Sequence, residues 1–332
     1  MNLNPWRASR PMDSSALTVT TLLCKAAAIG LCSILVGCAA SQPADSNPNE
    51  HELERAVDAL AKRSDADSLA AAGLLSLTSL RHDPLELTAR ASAAAPDRAD
   101  LLWLQIRACL DTAGCDPEPV ERRLRTLDPA NGTGWLVDLM RSSAAKDYAA
   151  SDAILAGIGR SDRVDIYWTT LIAHLTRATA RTHEISLNAA ENSIIGALAG
   201  SIIPAFAVAS NSCKGDRLQR PDVVETCRGV ARALERGDTY ITEMMGVAIA
   251  KRVWPEGSQE WRAADEARRS FEYRSKLSAA DSADAAHAEE FLTLCEKNRR
   301  EQDVFMAQLI SEGKNPNPSY VSPAAAEPPR RP

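Results

Sequence analysis

The residues with the widest chemistry in this chain of 332 are eight cysteines and five histidines. His183-Glu184 opens like the zinc-binding helix of a metalloprotease. Position 187 is Leu187, however, so the second histidine one turn on is missing from that face. His51, His82, His174 and His287 have no ligand-like neighbours and read as surface or hydrogen-bonded core residues. No Gly-x-Ser-x-Gly turn occurs, so a serine hydrolase of that type lacks its nucleophile elbow. Gly157-Ile158-Gly159 has no third glycine and follows no strand, so it is no phosphate loop. Lys297-Asn298-Arg299-Arg300, with Glu296 and Glu301 beside it, reads as a solvated helix face rather than an anion site. No catalytic, metal or cofactor-binding residue is predicted.

The cysteines are more informative. Lys25 is followed by an apolar run, Ala26 to Val36, and then Gly37-Cys38. A positive end and a short greasy segment are the layout of a secretory signal, and the run is too short to span a bilayer. Leu35-Val36-Gly37-Cys38 resembles the lipobox of bacterial lipoproteins. The resemblance implies a signal peptide at 1–37, cleavage after Gly37, and diacylation of the Cys38 thiol, with palmitate among the acyl chains. In such lipoproteins an aspartate after the cysteine favours the inner membrane. Ala39 stands here, which implies the outer membrane, facing the periplasm.

Cleavage would remove Arg7, Arg10, Asp13 and Lys25, a net charge of +2, and leave 295 residues at −8. A mildly acidic surface gives no reason to expect nucleic acid as a partner. Cys24 and Cys32 leave with the signal, so Cys109, Cys115, Cys213, Cys227 and Cys295 remain, and export makes them disulfide candidates. Six residues of helix span about 9 Å, beyond the roughly 7 Å reach of a disulfide. A Cys109–Cys115 bond therefore needs the helix to end between them, where Asp111, Thr112 and Gly114 favour an ending. Cys213 and Cys227 bracket a loop containing Lys214-Gly215-Asp216 and Pro221. Each closure would contribute on the order of 2–3 kcal/mol. Cys295 is left over, expected as a buried, inert thiol in a monomer, with an exposed thiol that joins two copies as the alternative.

These residues must be positioned by helices. Hydrophobic residues make up 45% of the chain but aromatics only 5%, with alanine taking much of the difference, which predicts an all-α fold. Residues 38–50 read as a flexible tether. Leu53, Val57 and Leu60 give one face to a helix over Glu50–Arg63, and Ser64 or Asp65 can cap the next. Pro84 opens a third.

Trp103, Trp135 and Trp168 then recur at intervals of 32 and 33 residues, two of them after turn-like segments and the third after Gly159-Arg160-Ser161-Asp162. A period near 33 is what a helix–turn–helix array shows. The run LDPANGTGWL resembles the junction between tetratricopeptide repeats, where a proline ends one unit and a tryptophan opens the next. Ser151 and Leu155 fall at that family's small and large packing positions. Leu139, Ser142 and Ile158 depart from its glycine, tyrosine and small residue. The resemblance implies an array of helical hairpins, a TPR-like α-solenoid, over residues 51–181.

Residues 182–313 are expected to form an irregular helical bundle. Asn192 to Cys213 is uncharged and includes Gly196-Ala197-Leu198-Ala199-Gly200, predicting a closely packed buried hairpin broken at Pro204, with a hairpin that touches the membrane as the alternative. A helix over Pro221–Glu235 ends at Gly237, and Asp238 is expected to cap Thr239–Val253 with Ile241 and Ile249 inward. Helices over Ser258–Leu277 and Ser282–Glu312 follow, and residues 314–332 read as a disordered, proline-rich tail.

The function expected is an outer-membrane-anchored scaffold binding a periplasmic protein or peptide. An envelope enzyme acting on cell-wall or lipid substrates, or a self-assembling envelope component, stands as the alternative.

Overall fold

The computed structural model describes residues 48–79, 81–277 and 285–317. Among the described residues every element is helical, apart from one isolated bridge between Asn131 and Arg163. The α-helices are α1 (Pro48–Ala61), α2 (Ala66–Ser79), α3 (Pro84–Ala94), α4 (Ala99–Asp111), α5 (Glu118–Leu127), α6 (Leu136–Ala144) and α7 (Tyr148–Arg160). They continue as α8 (Trp168–Ala180), α9 (Leu187–Ser212), α10 (Pro221–Glu235), α11 (Tyr240–Val253), α12 (Gln259–Leu277), α13 (Ala285–Lys297) and α14 (Glu301–Ser311).

Local chemistry sets many of the boundaries. The Asp65 carboxylate accepts from the Ser68 amide ahead of α2. Asp83 accepts from Leu85 and Glu86, with Pro84 in the first helical position of α3. Residues 48–50, read as tether, already belong to α1.

Neighbouring helices pair along the chain: α2 with α3, α4 with α5, α6 with α7, and α10 with α11. Helix α9 organises the rest. It lies against α1, α2, α6, α8, α11 and α13, and buries Ile194, Leu198, Phe206 and Ala209. The charge-free sequence that suggested a hairpin is therefore one continuous helix, running through Pro204. Its first half buries Ala190, Ile194 and Leu198 on one face and exposes Asn192, Gly196 and Gly200 on the other, and with no charge on the exposed face that period is faint in the sequence. The expected close approach at Gly196 and Gly200 is not made there, since a Cβ on either would meet nothing within 4 Å. Close contact occurs instead at Gly159 and Gly229, where a Cβ on Gly229 would lie 2.4 Å from the Gly159 carbonyl oxygen. That contact joins α7 to α10. Among the described residues no helix is long and apolar enough to cross a membrane.

The expected final helix is broken at residues 298–300, giving α13 and α14. The start of the expected tail is also held. Pro316 is buried, the Tyr273 hydroxyl donates to the Asn315 carbonyl at 3.3 Å, and Arg274 donates to the Pro316 carbonyl at 3.4 Å.

Candidate functional site

Three of the chain's four phenylalanines, Phe271, Phe291 and Phe305, come together from α12, α13 and α14. With Trp168 of α8 and Tyr240 of α11 they line a groove of about 270 Å³. The Tyr240 ring lies 5.0 Å from Phe271 and meets Phe305 edge-on at 5.7 Å. Its hydroxyl is buried and makes no hydrogen bond of acceptable geometry. Burial raises this phenol to about 12, against the opposing influence of Arg274.

Glu301 also lines the groove. As the first residue of α14 it suits the positive end of that helix, and its Oε2 accepts from the Tyr240 amide at 2.7 Å. Desolvation pushes its carboxyl upward, and only that amide opposes the shift. Arg299 is engaged with Asp165, Arg300 with Glu243 and the carbonyls of Gly237 and Glu235, and Arg274 with Pro316 and Asn317. No basic side chain pairs with Glu301 among the described residues. The groove thus offers aromatic faces and a carboxylate with no basic side chain paired to it among the described residues.

A second polar cluster has the opposite character. Asp238, fully buried, accepts from the Ile166 amide at 3.0 Å and the Trp168 amide at 2.7 Å. It therefore caps α8 and not, as the sequence suggested, α11. Helix α11 is capped by Thr239 in a capping box with Thr242. Burial and nearby Asp165 push the Asp238 carboxyl upward. Asp165 pairs with Arg163 at 2.6 Å and with Arg299, and its Oδ1 is buried without a partner. Tyr167, at φ 61°, holds a left-handed backbone, and its hydroxyl donates to Asp128 at 3.0 Å while accepting from Asn131 at 3.1 Å. The cluster ties four loops together, and nearly all its polar atoms are occupied in doing so.

The basic run at Lys297–Arg300 belongs to this clamp. Arg299 and Arg300 are fastening residues where a solvated face had been expected. Ile241, expected inward, is 38% exposed, while Ile249 is fully buried.

Both predicted disulfides form. Cys109–Cys115 has Cα atoms 5.4 Å apart across the end of α4, and Cys213–Cys227 has them 5.7 Å apart between α9 and α10. Cys295 is a buried free thiol, pushed up to about 12 by burial and by Glu191, Glu301 and Glu296. Trp103 and Trp168 are buried. Trp135 is partly buried, with Arg125 4.4 Å from its ring and Gly157 beneath it, where a Cβ would lie 3.2 Å away. Ser151 and Leu155 are buried, and the Ser151 hydroxyl donates to Ser142, the position where the repeat family has tyrosine.

His183 and Glu184 form no metal group: Glu184 pairs with Arg55 at 2.9 Å, and among the described residues no cluster could hold a metal ion. Cys38 lies outside the described residues. Sequence reasoning missed the groove, although one signal was available: in an aromatic-poor chain, three phenylalanines fall within 35 residues, Phe271 to Phe305. Searches against protein-family models, curated proteins and solved structures each find no match to this chain.

Proposed function

We propose that this chain is a lipid-anchored, non-catalytic binding protein of the bacterial outer membrane, facing the periplasm, and that its groove between α8 and α11–α14 binds a protein or peptide segment. The single observation that carries the reading is the groove itself: aromatic walls with a carboxylate that no basic side chain pairs with among the described residues. Binding sites of this kind are mostly apolar, with a few polar groups that set orientation.

In this reading residues 51–181 are a tetratricopeptide-like array of helical hairpins. The pairs α2–α3, α4–α5 and α6–α7, the Trp135 contact with Gly157, and buried Ser151 and Leu155 support it. In an open solenoid each unit touches only its neighbours. Here α2 also contacts α8 and α9, so the proposed array is a closed one.

Two experiments test the proposal. A photo-crosslinking residue at exposed Ser275, on the rim of the groove, is expected to trap one defined protein in cells. A uniform background equal to that from a site on α1 would remove the binding reading. Cys38→Ser is expected to move the protein from the membrane pellet to the soluble periplasmic fraction. Retention in the pellet would remove the anchor.

A further inference from the structure

The chemistry of the groove narrows what can occupy it, and the argument rests on the reading above that the groove is a binding site. Five aromatic rings, from Trp168, Tyr240, Phe271, Phe291 and Phe305, line one small cavity in a chain that is only 5% aromatic. Ring faces carry negative charge density and attract cations, most strongly where water is excluded. Glu301 adds a carboxyl on the same wall, with no basic side chain paired to it among the described residues. A buried carboxylate without a counter-charge is costly, and an incoming cation offsets that cost.

Glu191, Glu296 and Glu301 all act on the Cys295 thiol of α13, and of these Glu296 is paired with Arg177. Glu243 has Arg300 at 3.6 Å. Arg274 acts on the Tyr240 hydroxyl, and its guanidinium donates to the Pro316 carbonyl and to Asn317 at 3.4 and 3.3 Å.

We infer that the groove is a cation-selecting aromatic cage that takes a basic side chain of the bound peptide, a lysine ammonium on its alkyl stem. The alkyl stem covers the phenyl rings, and the ammonium meets the ring faces and Glu301. A purely apolar side chain would leave Glu301 desolvated and unpaired, and an acidic one would be repelled by it.

The test uses the full chain and two acetylated, amidated tetrapeptides: one with a lysine between leucines, the other with norleucine in its place. Ligand-observed NMR is expected to show the lysine peptide binding about fivefold tighter or more, the effect of one desolvated cation–aromatic contact with charge assistance. Glu301→Gln keeps an oxygen to accept from the Tyr240 amide and is expected to abolish the preference with an unchanged thermal midpoint. Phe305→Leu, which keeps the apolar volume, is expected to weaken the lysine peptide while leaving the norleucine peptide bound. Equal binding of the two peptides, or a preference that survives both substitutions, overturns the inference, as does failure of the lysine peptide to bind. If crosslinking at Ser275 still traps a partner in those cases, the binding reading stands and only the cation specificity falls. If the lysine preference holds but no partner is trapped, the reverse is true.

Discussion

Asp238 and Glu301 are two carboxylates that burial pushes in the same direction, yet they sit in opposite circumstances. Both oxygens of Asp238 are occupied by main-chain amides across a separation of about 70 residues. Glu301 has one amide and then opens on an aromatic groove. The difference teaches that an upward-shifted acid is no sign of function by itself. What separates the two is whether the molecule supplies the partners. At the clamp it does, and the group fastens loops. At the groove it does not, and the missing partner is what a ligand would bring.

The largest expected effect tests that contrast directly. Asp238→Ala leaves the Ile166 and Trp168 amides buried without acceptors, and should cost about 3 kcal/mol in urea denaturation. Glu301→Gln should cost almost nothing. Equal losses would erase the distinction between clamp and groove. Nearly as large, Trp135→Ala should cost about 3 kcal/mol, because the indole rests on Gly157 and under Arg125 rather than facing solvent. An unchanged midpoint would mean that the stacked hairpins do not depend on this ring.

A smaller effect concerns pH. Glu235 is raised to about 7 by burial and by Glu243, and Glu121 to about 7 by burial and by Asp138. A raised acid favours its protonated form in the folded state. The stability it contributes is therefore complete below the ordinary value near 4.5 and is lost as pH climbs toward 7. The thermal midpoint should fall by about 2–4 °C between pH 5 and pH 8, and Glu235→Gln should flatten part of that slope. A midpoint that rises over this range would contradict both shifts. Smallest of all, the Cys295 thiol should react with a maleimide only after unfolding and give no dimer on non-reducing gels. Labelling of the native protein would show the groove side opening on its own.

Much of the fold was legible because its signals are local. Pro84 at the start of a helix, and Cys109 and Cys115 flanking a helix end, each carry their meaning within a few residues. The errors arose where a partner lies far along the chain. Asp238 precedes a helix and looks like its cap, yet Thr239 takes that role and frees Asp238 for α8. Arg299 and Arg300 look solvated until Asp165 and the Gly237 carbonyl are seen beside them. The groove was illegible for the same reason: Phe271, Phe291 and Phe305 each satisfy the apolar period of a different helix, and no spacing joins them to Trp168.

The reach of Asp238 has a consequence for how the chain can be divided. A protein cut after Arg181 would keep every proposed hairpin yet begin its last helix, α8, with the Ile166 and Trp168 amides bare. Ribosomal synthesis meets the same condition: α8 stays unfinished until residue 238 has emerged. The boundary drawn at 181 on sequence grounds is therefore no place to cut an expression fragment, and the smallest piece expected to fold extends through the α13–α14 junction that closes over it.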